Sequence, residues 1–392
     1  MADPLVEQLR ERYPRVAVTH EWLAVPGGSE KVIEAILRLV PHAEIFCSVY
    51  DPAPFDEFIT DRPVHPSFIQ KIPKATTQYP KLLPLMDTAF RRFDLSGFDL
   101  VISSNHACAK NVRTPAGVPH VCYCHTPMRY AWDPDFLLQE DLGPAARAIV
   151  KPLTAYLRRV DARGAKQPTL IAANSSFVAQ RVRDWWHRDA EVVHPPVEVE
   201  RFVTRERRVG PDAPYLVFGR LVPYKRPDAA VEACRKLGRR LVVAGDGRFM
   251  EHVRAAAGDD PNIDIRGRVS DTEADELMAT CRALLFPGVE DFGIVPVEAQ
   301  AAGMPVLALG EGGARDSVQD GVTGVLYDDP SADGLAAAIE RFESLALDDA
   351  ALRAHARDFG PEVFHARFGA LLLQGFDAVS MKRDVAKTTG DR

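Results

Sequence analysis

Apolar and polar segments alternate along the chain and predict a regular series of strands and helices. Short apolar runs typical of buried strands occur in the first half at RVAVTH (15–20), AEIFCSVY, FDLVISSN, VPHVCYC and TLIAANSS. In the second half they occur at YLVF, RRLVVAG, IDIRG, ALLFP and PVLAL. Apolar residues at helical spacing predict helices after Ser29, from Asp228, and over residues 295–302, 332–342 and 364–376. This alternation predicts an α/β protein with parallel sheets.

The length of 392 residues exceeds what one hydrophobic core usually supports, so two domains are expected. The proline-containing segment VVHPPVEVERF and the polar stretch 204–214 after it indicate the boundary. We therefore predict an N-terminal domain at residues 1–200 and a C-terminal domain at residues 201–362. A final helix is expected at residues 363–380.

Composition excludes several classes of protein. Hydrophobic residues make up 46% and charged residues 26%, as in soluble globular proteins. No apolar run reaches the length of a membrane span, and MADPLVEQLRERYP lacks the apolar core of a signal peptide. Six scattered cysteines are consistent with a reducing cytoplasm. The net charge of −7, located mainly in the second half, argues against nucleic acid as a partner.

A pair of glycines, Gly27 and Gly28, follows the first predicted strand. Ser29 after them is a candidate helix N-cap. Glycines at this place allow the backbone to approach a ligand closely. The pattern is not the dinucleotide fingerprint, however, and most glycine pairs of this kind are merely turns.

The stretch GVEDFGIVPVEAQAAGMPVLA (288–308) predicts strand, glycine-bearing loop, helix and strand in succession. The loop and helix N-terminus at the carboxyl end of a parallel sheet form a site that stabilises phosphate. Glu290 and Glu298 stand on either side of this helix start, and carboxylates accept hydrogen bonds from sugar hydroxyls. The combination suits a nucleotide sugar, although spacing alone is equally consistent with two solvated glutamates.

Two cations, Arg220 and Lys225, lie in the loop between the strand YLVF and the helix from Asp228. Cations at a strand end beside a helix N-terminus suit a diphosphate. The alternative is an ordinary solvated loop.

His125 comes directly after the strand VPHVCYC, where active sites of α/β proteins lie. Cys122 and Cys124 share one face of that strand and His125 points to the other, so these residues do not converge on a metal. Asp133 and Asp135 imitate the D-x-D metal motif, but they lie in a proline-broken loop, and we reject them as metal ligands. No metal site is expected.

The segment FGIVPVEAQAAGMPVLA, with its two glutamates, resembles the E-x7-E signature of retaining glycosyltransferases of family 4. GRLVPYKRPD resembles the diphosphate clamp of that family, HTPMRYAWD its catalytic-histidine loop, and GGSE its GG-S/A-E loop. The resemblance covers residues 15–380. It implies the GT-B fold, in which two Rossmann-like domains face a cleft and the final helix returns to the first domain.

The resemblance also implies roles for the residues of the second domain. Arg220 and Lys225 would neutralise the leaving diphosphate, and backbone amides near Phe292, Gly293 and Ile294 would assist, without a metal.

Further contacts to the nucleotide sugar follow from the same resemblance. Glu298 would accept hydrogen bonds from the ribose and Glu290 would hold the sugar. Arg268 and Val269 would meet the base, and His125 would contact the sugar from the first domain.

The implied reaction is transfer of a hexose from a nucleotide sugar to an acceptor hydroxyl with retention. In such enzymes the loop with Gly27 and Gly28 meets the donor diphosphate and the acceptor. Similarity to the mannosyltransferases of O-antigen synthesis favours GDP-mannose and cell-surface polysaccharide as the pathway. A UDP-sugar donor, a nucleotide-sugar epimerase, a sugar phosphorylase and a non-catalytic nucleotide-sugar-binding protein are the alternatives.

Two basic stretches with interleaved apolar residues, at 62–92 and 147–166, lie in the predicted acceptor half. Such stretches can lie on an anionic bilayer. We therefore expect a polyprenyl-linked glycan acceptor and peripheral contact with the inner face of the plasma membrane. The alternative is a loop and helix packed on the core by their apolar sides.

Overall fold

The computed structural model of the protein describes residues 3–133, 144–203 and 206–389. The chain forms two compact units. The N-terminal unit comprises residues 1–196 together with 362–392, and the C-terminal unit comprises residues 197–361. The chain therefore passes into the C-terminal unit once and returns through its last segment.

The N-terminal unit contains a seven-stranded parallel sheet in the order β3-β2-β1-β4-β5-β6-β7. The strands are β1 Val16–His20, β2 Glu44–Cys47, β3 Val64–Pro66, β4 Leu100–Asn105, β5 His120–Cys124, β6 Leu170–Ala173 and β7 Glu191–Val192. The order reverses direction between β1 and β4, which is the position where ligands bind in open parallel sheets.

The C-terminal unit contains a six-stranded parallel sheet in the order β10-β9-β8-β11-β12-β13. Its strands are β8 Tyr215–Phe218, β9 Leu241–Ala244, β10 Ile263–Gly267, β11 Leu284–Phe286, β12 Val306–Leu309 and β13 Gly324–Tyr327. Here the order reverses between β8 and β11, so this unit repeats the Rossmann-like pattern.

Helices connect the strands. In the N-terminal unit the α-helices are Pro4–Arg12, Gly28–Leu39, Glu57–Thr60, Ala75–Gln78, Leu83–Phe90, Arg129–Trp132, Pro144–Gly164 and Ser176–Arg181. In the C-terminal unit they are Glu200–Val203, Pro227–Leu237, Met250–Ala257, Asp271–Thr280, Ile294–Ala301, Ala314–Ser317, Ala332–Glu343 and Asp349–Ala356. The last helix is Pro361–Thr389.

The last helix packs on the core of the N-terminal unit, as the resemblance implied. Phe364, Phe368 and Leu372 are buried against side chains of β1, β2 and the helix Gly28–Leu39. The Tyr13 hydroxyl donates to the backbone oxygen of Leu372 at 2.8 Å. The apolar spacing within 364–376 therefore serves this contact.

The predicted α/β class, GT-B fold and named strands are confirmed, with three short strands added. Strands β3, β7 and β13 lie at sheet edges, and β7 corrects the expectation that TLIAANSS supplies the last strand of the first half. With three and two residues, β3 and β7 carry too little apolar pattern to predict a strand.

The predicted N-cap at Ser29 is wrong. The helix begins at Gly28 with Gly27 as its N-cap, in extended conformation and without a side-chain cap. The Ser29 hydroxyl instead donates to a carboxylate oxygen of Glu30 at 2.8 Å. Ser29 is therefore the second residue of the helix and lies beyond the N-cap position.

Candidate functional site

The carboxyl edge of the C-terminal sheet brings the predicted cations and one predicted glutamate together. Arg220 and Lys225 follow β8, and Glu290 follows the adjacent strand β11. All three residues line one small cavity with Gly219 and Gly288. The cavity lies at the strand-order reversal of this sheet, so the site occupies the ligand position expected for the fold.

Lys225 and Glu290 form an ion pair, with Lys225 Nζ 2.7 Å from Glu290 Oε1. Their side chains are only 18% and 20% exposed, so solvent screens this pair less than a surface pair. Arg220 is exposed and has no ion-pair partner within the part of the chain that the structure describes. The site therefore holds one cation neutralised by a carboxylate and one available to an anion.

Glycines allow the loops of this edge to touch. A side chain at Gly288 would place its Cβ 2.4 Å from the Lys225 Cα and 2.6 Å from the Tyr224 oxygen. A Cβ at Gly313 would lie 2.2 Å from the Phe292 Cα. The backbone of the loop after β11 is thus held between its neighbours by close contact that only glycine permits.

The helix Ile294–Ala301 starts beside this cavity. Its N-cap is Gly293 at φ 84°, a conformation that favours glycine. Phe292 is buried against Phe359, which fixes the loop before the helix. Glu298 lies on this helix and is partly exposed. The predicted helix at 295–302 is confirmed within one residue at each end.

Arg268 and Val269 follow β10, which is two strands from β8 at the same edge. Arg268 is exposed, whereas Val269 packs against the hydrophobic core. Their place at the carboxyl edge of the sheet is compatible with a contact to the base of a nucleotide sugar. That contact stays a prediction.

In the N-terminal unit, His125 directly follows β5, as predicted. Gly27 and Gly28 are exposed at the start of the helix that follows β1. The His125 amide donates to the Asn105 oxygen at 2.8 Å, so its backbone continues alongside the end of β4. The histidine and the glycines thus both lie at the carboxyl edge of this sheet.

Sequence reasoning missed a hydrogen-bonded chain that ends at His125. His20 and Ser104 are register partners on β1 and β4, and His20 Nδ1 lies 3.1 Å from Ser104 Oγ. Ser104 Oγ lies 2.8 Å from His125 Nε2. On the other side, His20 Nε2 lies 3.2 Å from Glu30 Oε1. The sequence signal was present in GGSE, because Glu30 belongs to the loop already recognised.

Burial shapes the electrostatics of this chain. Burial raises the pKa of Glu30, but the hydrogen bonds and charge of His20 and the hydroxyl of Ser29 outweigh it and lower the pKa to about 2. The surrounding protein lowers the pKa of His125 well below its usual value, and His106 and His20 lower it further. At neutral pH the two ends of this hydrogen-bonded chain are therefore an ionised Glu30 carboxylate and a neutral His125 imidazole.

A second carboxylate, Glu21, was also missed. It is fully buried and accepts four backbone N–H bonds, from His106, Ala107, Cys108 and Ala109, at 2.7–3.2 Å. These bonds fix the turn after β4, next to Ser104. Glu21 therefore determines the shape of the edge where His125 lies.

Among the described residues, no three His, Cys, Asp or Glu side chains group as metal ligands. All six cysteines are buried thiols. Asp133 is paired with Arg129 at 3.3 Å, and Asp135 lies outside the described residues.

The basic stretch 62–92 packs mainly by its apolar side. Ile69, Met86 and Phe90 are buried in a core cluster, while Lys71, Lys74 and Lys81 are exposed. Of its large apolar side chains only Leu85 is prominently exposed, at 41%. The packed-loop alternative therefore accounts for most of this stretch.

The second stretch, 147–166, lies on the helix Pro144–Gly164. Its side chains up to residue 150 are outside the described part. Leu157 and Val160 are buried and Tyr156 is 43% exposed. Among the helices of residues 3–133, 144–203 and 206–389, none has the length and apolar character needed to cross a bilayer.

Solved structures share this fold. A lipopolysaccharide outer core galactosyltransferase in its apo form gives a TM-score of 0.64 at 17% identity, over 94% of this chain and 99% of that chain. An Anabaena protein, HepE, crystallised with UDP, gives 0.65 at 18% identity over 92% and 100%. The fold is therefore the GT-B fold of glycosyltransferases.

Two family models match adjacent parts of the sequence. The model described as Glycosyltransferase Family 4 matches residues 26–201, and that of Glycosyl transferases group 1 matches residues 200–359. Together they span both units, and the chain belongs to glycosyltransferase family 4.

Curated relatives match over shorter segments. A D-inositol 3-phosphate glycosyltransferase of Mycobacterium marinum is 34% identical over 38% of this chain and 36% of its own length. A GDP-mannose-dependent alpha-(1-6)-phosphatidylinositol monomannoside mannosyltransferase of Mycobacterium tuberculosis is 33% identical over 38% and 45%. The matched region thus spans between a third and a half of these relatives.

The close loop contact predicts that Gly288→Ala destabilises the C-terminal unit. An added Cβ would meet backbone atoms, which cannot move as a flexible side chain can, at a cost of about 1–3 kcal/mol. Gly210→Ala is the matched control, because nothing lies within 4 Å of the position that its Cβ would take. Denaturant unfolding of both variants measures the difference. Equal stability of the two would contradict the contact.

Proposed function

We propose that the protein transfers a hexose with retention from a nucleotide sugar, favoured as GDP-mannose, to a hydroxyl of a glycan or lipid-linked glycan. The observation that carries this proposal is the grouping of Arg220, Lys225 and Glu290 at the strand-order reversal of the C-terminal sheet. Family membership supports the same reaction class.

The cations would serve the leaving group. Negative charge grows on the diphosphate as the bond to the sugar breaks, and cations fixed beforehand stabilise that charge most strongly in the transition state. Arg220 and Lys225 supply two such cations. The amides of Phe292, Gly293 and Ile294 at the helix start would add the partial positive charge of a helix N-terminus.

The ion pair suggests how the donor is accommodated. Lys225 and Glu290 neutralise one another at 2.7 Å. A diphosphate would draw Lys225 away and leave the Glu290 carboxylate to accept hydrogen bonds from sugar hydroxyls. Each of the two charged groups would thus have a partner both before and after the donor binds. Burying either charge without a partner would cost free energy. Glu298 would accept from the ribose.

No metal is part of this proposal, because Arg220 and Lys225 would carry the charge that a metal carries elsewhere. Donor identity is proposed from similarity. The Mycobacterium tuberculosis relative is described as GDP-mannose-dependent, which agrees with the resemblance to O-antigen mannosyltransferases. A UDP-sugar donor or an epimerase reaction is the alternative.

A donor assay tests the function. Purified protein incubated with GDP-mannose should release GDP and mannose slowly without acceptor, more than it releases nucleotide from UDP-sugars. Release should persist in excess EDTA. Loss of release in EDTA with recovery in Mn²⁺ would contradict the metal-free proposal. A freed epimeric sugar nucleotide would indicate an epimerase, and no turnover with any donor would indicate a binding protein.

Replacing Lys225 with alanine should lower kcat more than donor affinity. One lost electrostatic stabiliser of the leaving group costs on the order of 10²–10³ in rate. Lys236→Ala is a control from the same unit, since Lys236 is exposed and forms a surface ion pair with Asp333. A Lys225→Ala enzyme with unchanged kcat and raised KM would mean that Lys225 contributes uniform binding instead.

The acceptor is proposed to be lipid-linked, with the protein at an anionic membrane surface. The exposed Lys71, Lys74 and Lys81, with Leu85 nearby, support this, since each cation near such a surface contributes roughly 1 kcal/mol. The names of the two relatives differ on whether the acceptor is a lipid. The Mycobacterium tuberculosis relative is named for an inositol lipid, and the Mycobacterium marinum relative for inositol 3-phosphate.

Vesicle co-sedimentation distinguishes these acceptors. Binding should require anionic lipid, weaken with salt, and fall when Lys71, Lys74 and Lys81 are all changed to Glu. Lys236→Glu, in the other unit, should leave binding unchanged. Absence of binding to anionic vesicles at low salt would instead support a soluble acceptor.

A further inference from the structure

His106 is the first residue after β4, at the position where the strand order of the N-terminal sheet reverses. β4 lies between β1, which leads to Gly27 and Gly28, and β5, which leads to His125. The rings of His106 and His125 lie 6.1 Å apart, centroid to centroid. His106 therefore belongs to the edge at which open parallel sheets bind their ligands.

Both the backbone and the ring of His106 are held in place. The His106 amide donates to Glu21 Oε1 at 3.2 Å, and the three amides that follow donate to the same fully buried carboxylate. The Trp22 ring packs against the His106 ring in an edge-to-face contact, with centroids 4.6 Å apart. None of these contacts uses a ring nitrogen of His106.

The ring nitrogens of His106 make no hydrogen bond to any residue in the ranges 3–133, 144–203 and 206–389. Two other histidines of this sheet, His20 and His120, are fully buried, and each of their ring nitrogens lies within hydrogen-bond distance of a protein side chain. The His106 ring is instead partly exposed. Its nitrogens are therefore available to water or to a ligand.

The electrostatics of the ring suit a hydroxyl as that ligand. The surrounding protein displaces part of the water around the ring and lowers the pKa of His106, an effect that Glu21 opposes. His20 lowers the pKa further, and Glu30 raises it. The net shift is downward, so the ring is neutral at neutral pH. A neutral imidazole has one donor and one acceptor nitrogen in either tautomer, and a hydroxyl can likewise donate and accept.

The position of His106 indicates which substrate carries this hydroxyl. The groups suited to the nucleotide sugar, Arg220, Lys225 and Glu290, lie in the C-terminal unit. His106 lies in the N-terminal unit, which is the predicted acceptor half. A hydroxyl bound at this edge is therefore assigned to the acceptor.

We propose that His106 is a catalytic residue that hydrogen-bonds to the acceptor hydroxyl and orients it for transfer. When no acceptor is present, a water molecule takes the place of the hydroxyl and makes the same hydrogen bond. The identity of the ligand rests on the proposed function, whereas the availability of the ring nitrogens does not. If the ring served only to pack against Trp22, a phenyl ring could replace it.

Substitutions of two kinds separate hydrogen bonding from packing. His106→Phe keeps a ring beside Trp22 but removes both nitrogens. His106→Asn and His106→Gln remove the ring but place an amide near the former Nδ1 or Nε2. In acceptor-free release of GDP from GDP-mannose, His106→Phe should lower kcat about 10-fold, the effect of one lost hydrogen bond, with donor KM unchanged. At least one of the two amide variants should be more active than His106→Phe.

His65→Phe is the matched control in the same unit. His65 is exposed on the edge strand β3, and its ring stacks on Phe46 with centroids 4.6 Å apart. The control thus makes the same exchange of an imidazole for a phenyl ring beside an aromatic neighbour. It should change neither kcat nor donor KM.

A measurement on the unmodified chain needs no turnover and no variant. Diethyl pyrocarbonate acylates accessible neutral imidazole nitrogens, and mass spectrometry identifies the modified histidines. At neutral pH His106 should react, whereas His20 and His120 should not, because both are fully buried and bonded at each nitrogen.

Three results would overturn the proposal: no reaction of His106 with diethyl pyrocarbonate, an unchanged kcat in His106→Phe, or a His106→Phe enzyme more active than both amide variants. An unmodified chain that turns over no nucleotide sugar overturns the proposed function instead. The modification experiment then still decides whether the ring nitrogens of His106 are available to a ligand.

Discussion

Parallel strand pairing is the constraint on which both candidate sites depend. Because every strand of each sheet runs the same way, all loops that follow the strands emerge at one edge, together with the starts of the helices. Where the strand order reverses, two such loops diverge and leave room for a ligand. In the N-terminal unit this position holds His20 and Ser104, and in the C-terminal unit it holds Lys225 and Glu290.

Buried carboxylates and glycines then shape these two edges by different means. In the N-terminal unit, Glu21 accepts four backbone N–H groups and Glu30 anchors a chain of polar side chains. Such groups are stable inside a protein only when their hydrogen bonds are satisfied, and so they hold their surroundings in one arrangement. In the C-terminal unit, Gly288 and Gly313 bring backbones into direct contact, which limits how far the loops can move.

Much of the fold and part of the site could be predicted from the sequence. Apolar runs of four or more residues identified the central strands, and the loop residues Arg220, Lys225, Glu290 and His125 lie at carboxyl edges of the two sheets as expected. The edge strands β3 and β7, of three and two residues, carry too weak an apolar pattern. The partners His20 and Ser104 are 84 residues apart, and only the register of β1 on β4 brings them together. The ion pair of Lys225 with Glu290 has the same origin, because β8 and β11 are neighbours in the sheet although distant in the chain.

We propose that a nucleoside diphosphate binds at the strand-order reversal of the C-terminal sheet. Hydrogen–deuterium exchange of the whole chain, with and without saturating GDP and separately UDP, tests it most directly. Slower exchange is expected in the loops at 219–226 and 287–294 with at least one of the nucleotides, because the phosphates would engage both loops at once. Bound nucleotide that leaves these two loops unchanged and protects other segments would contradict it.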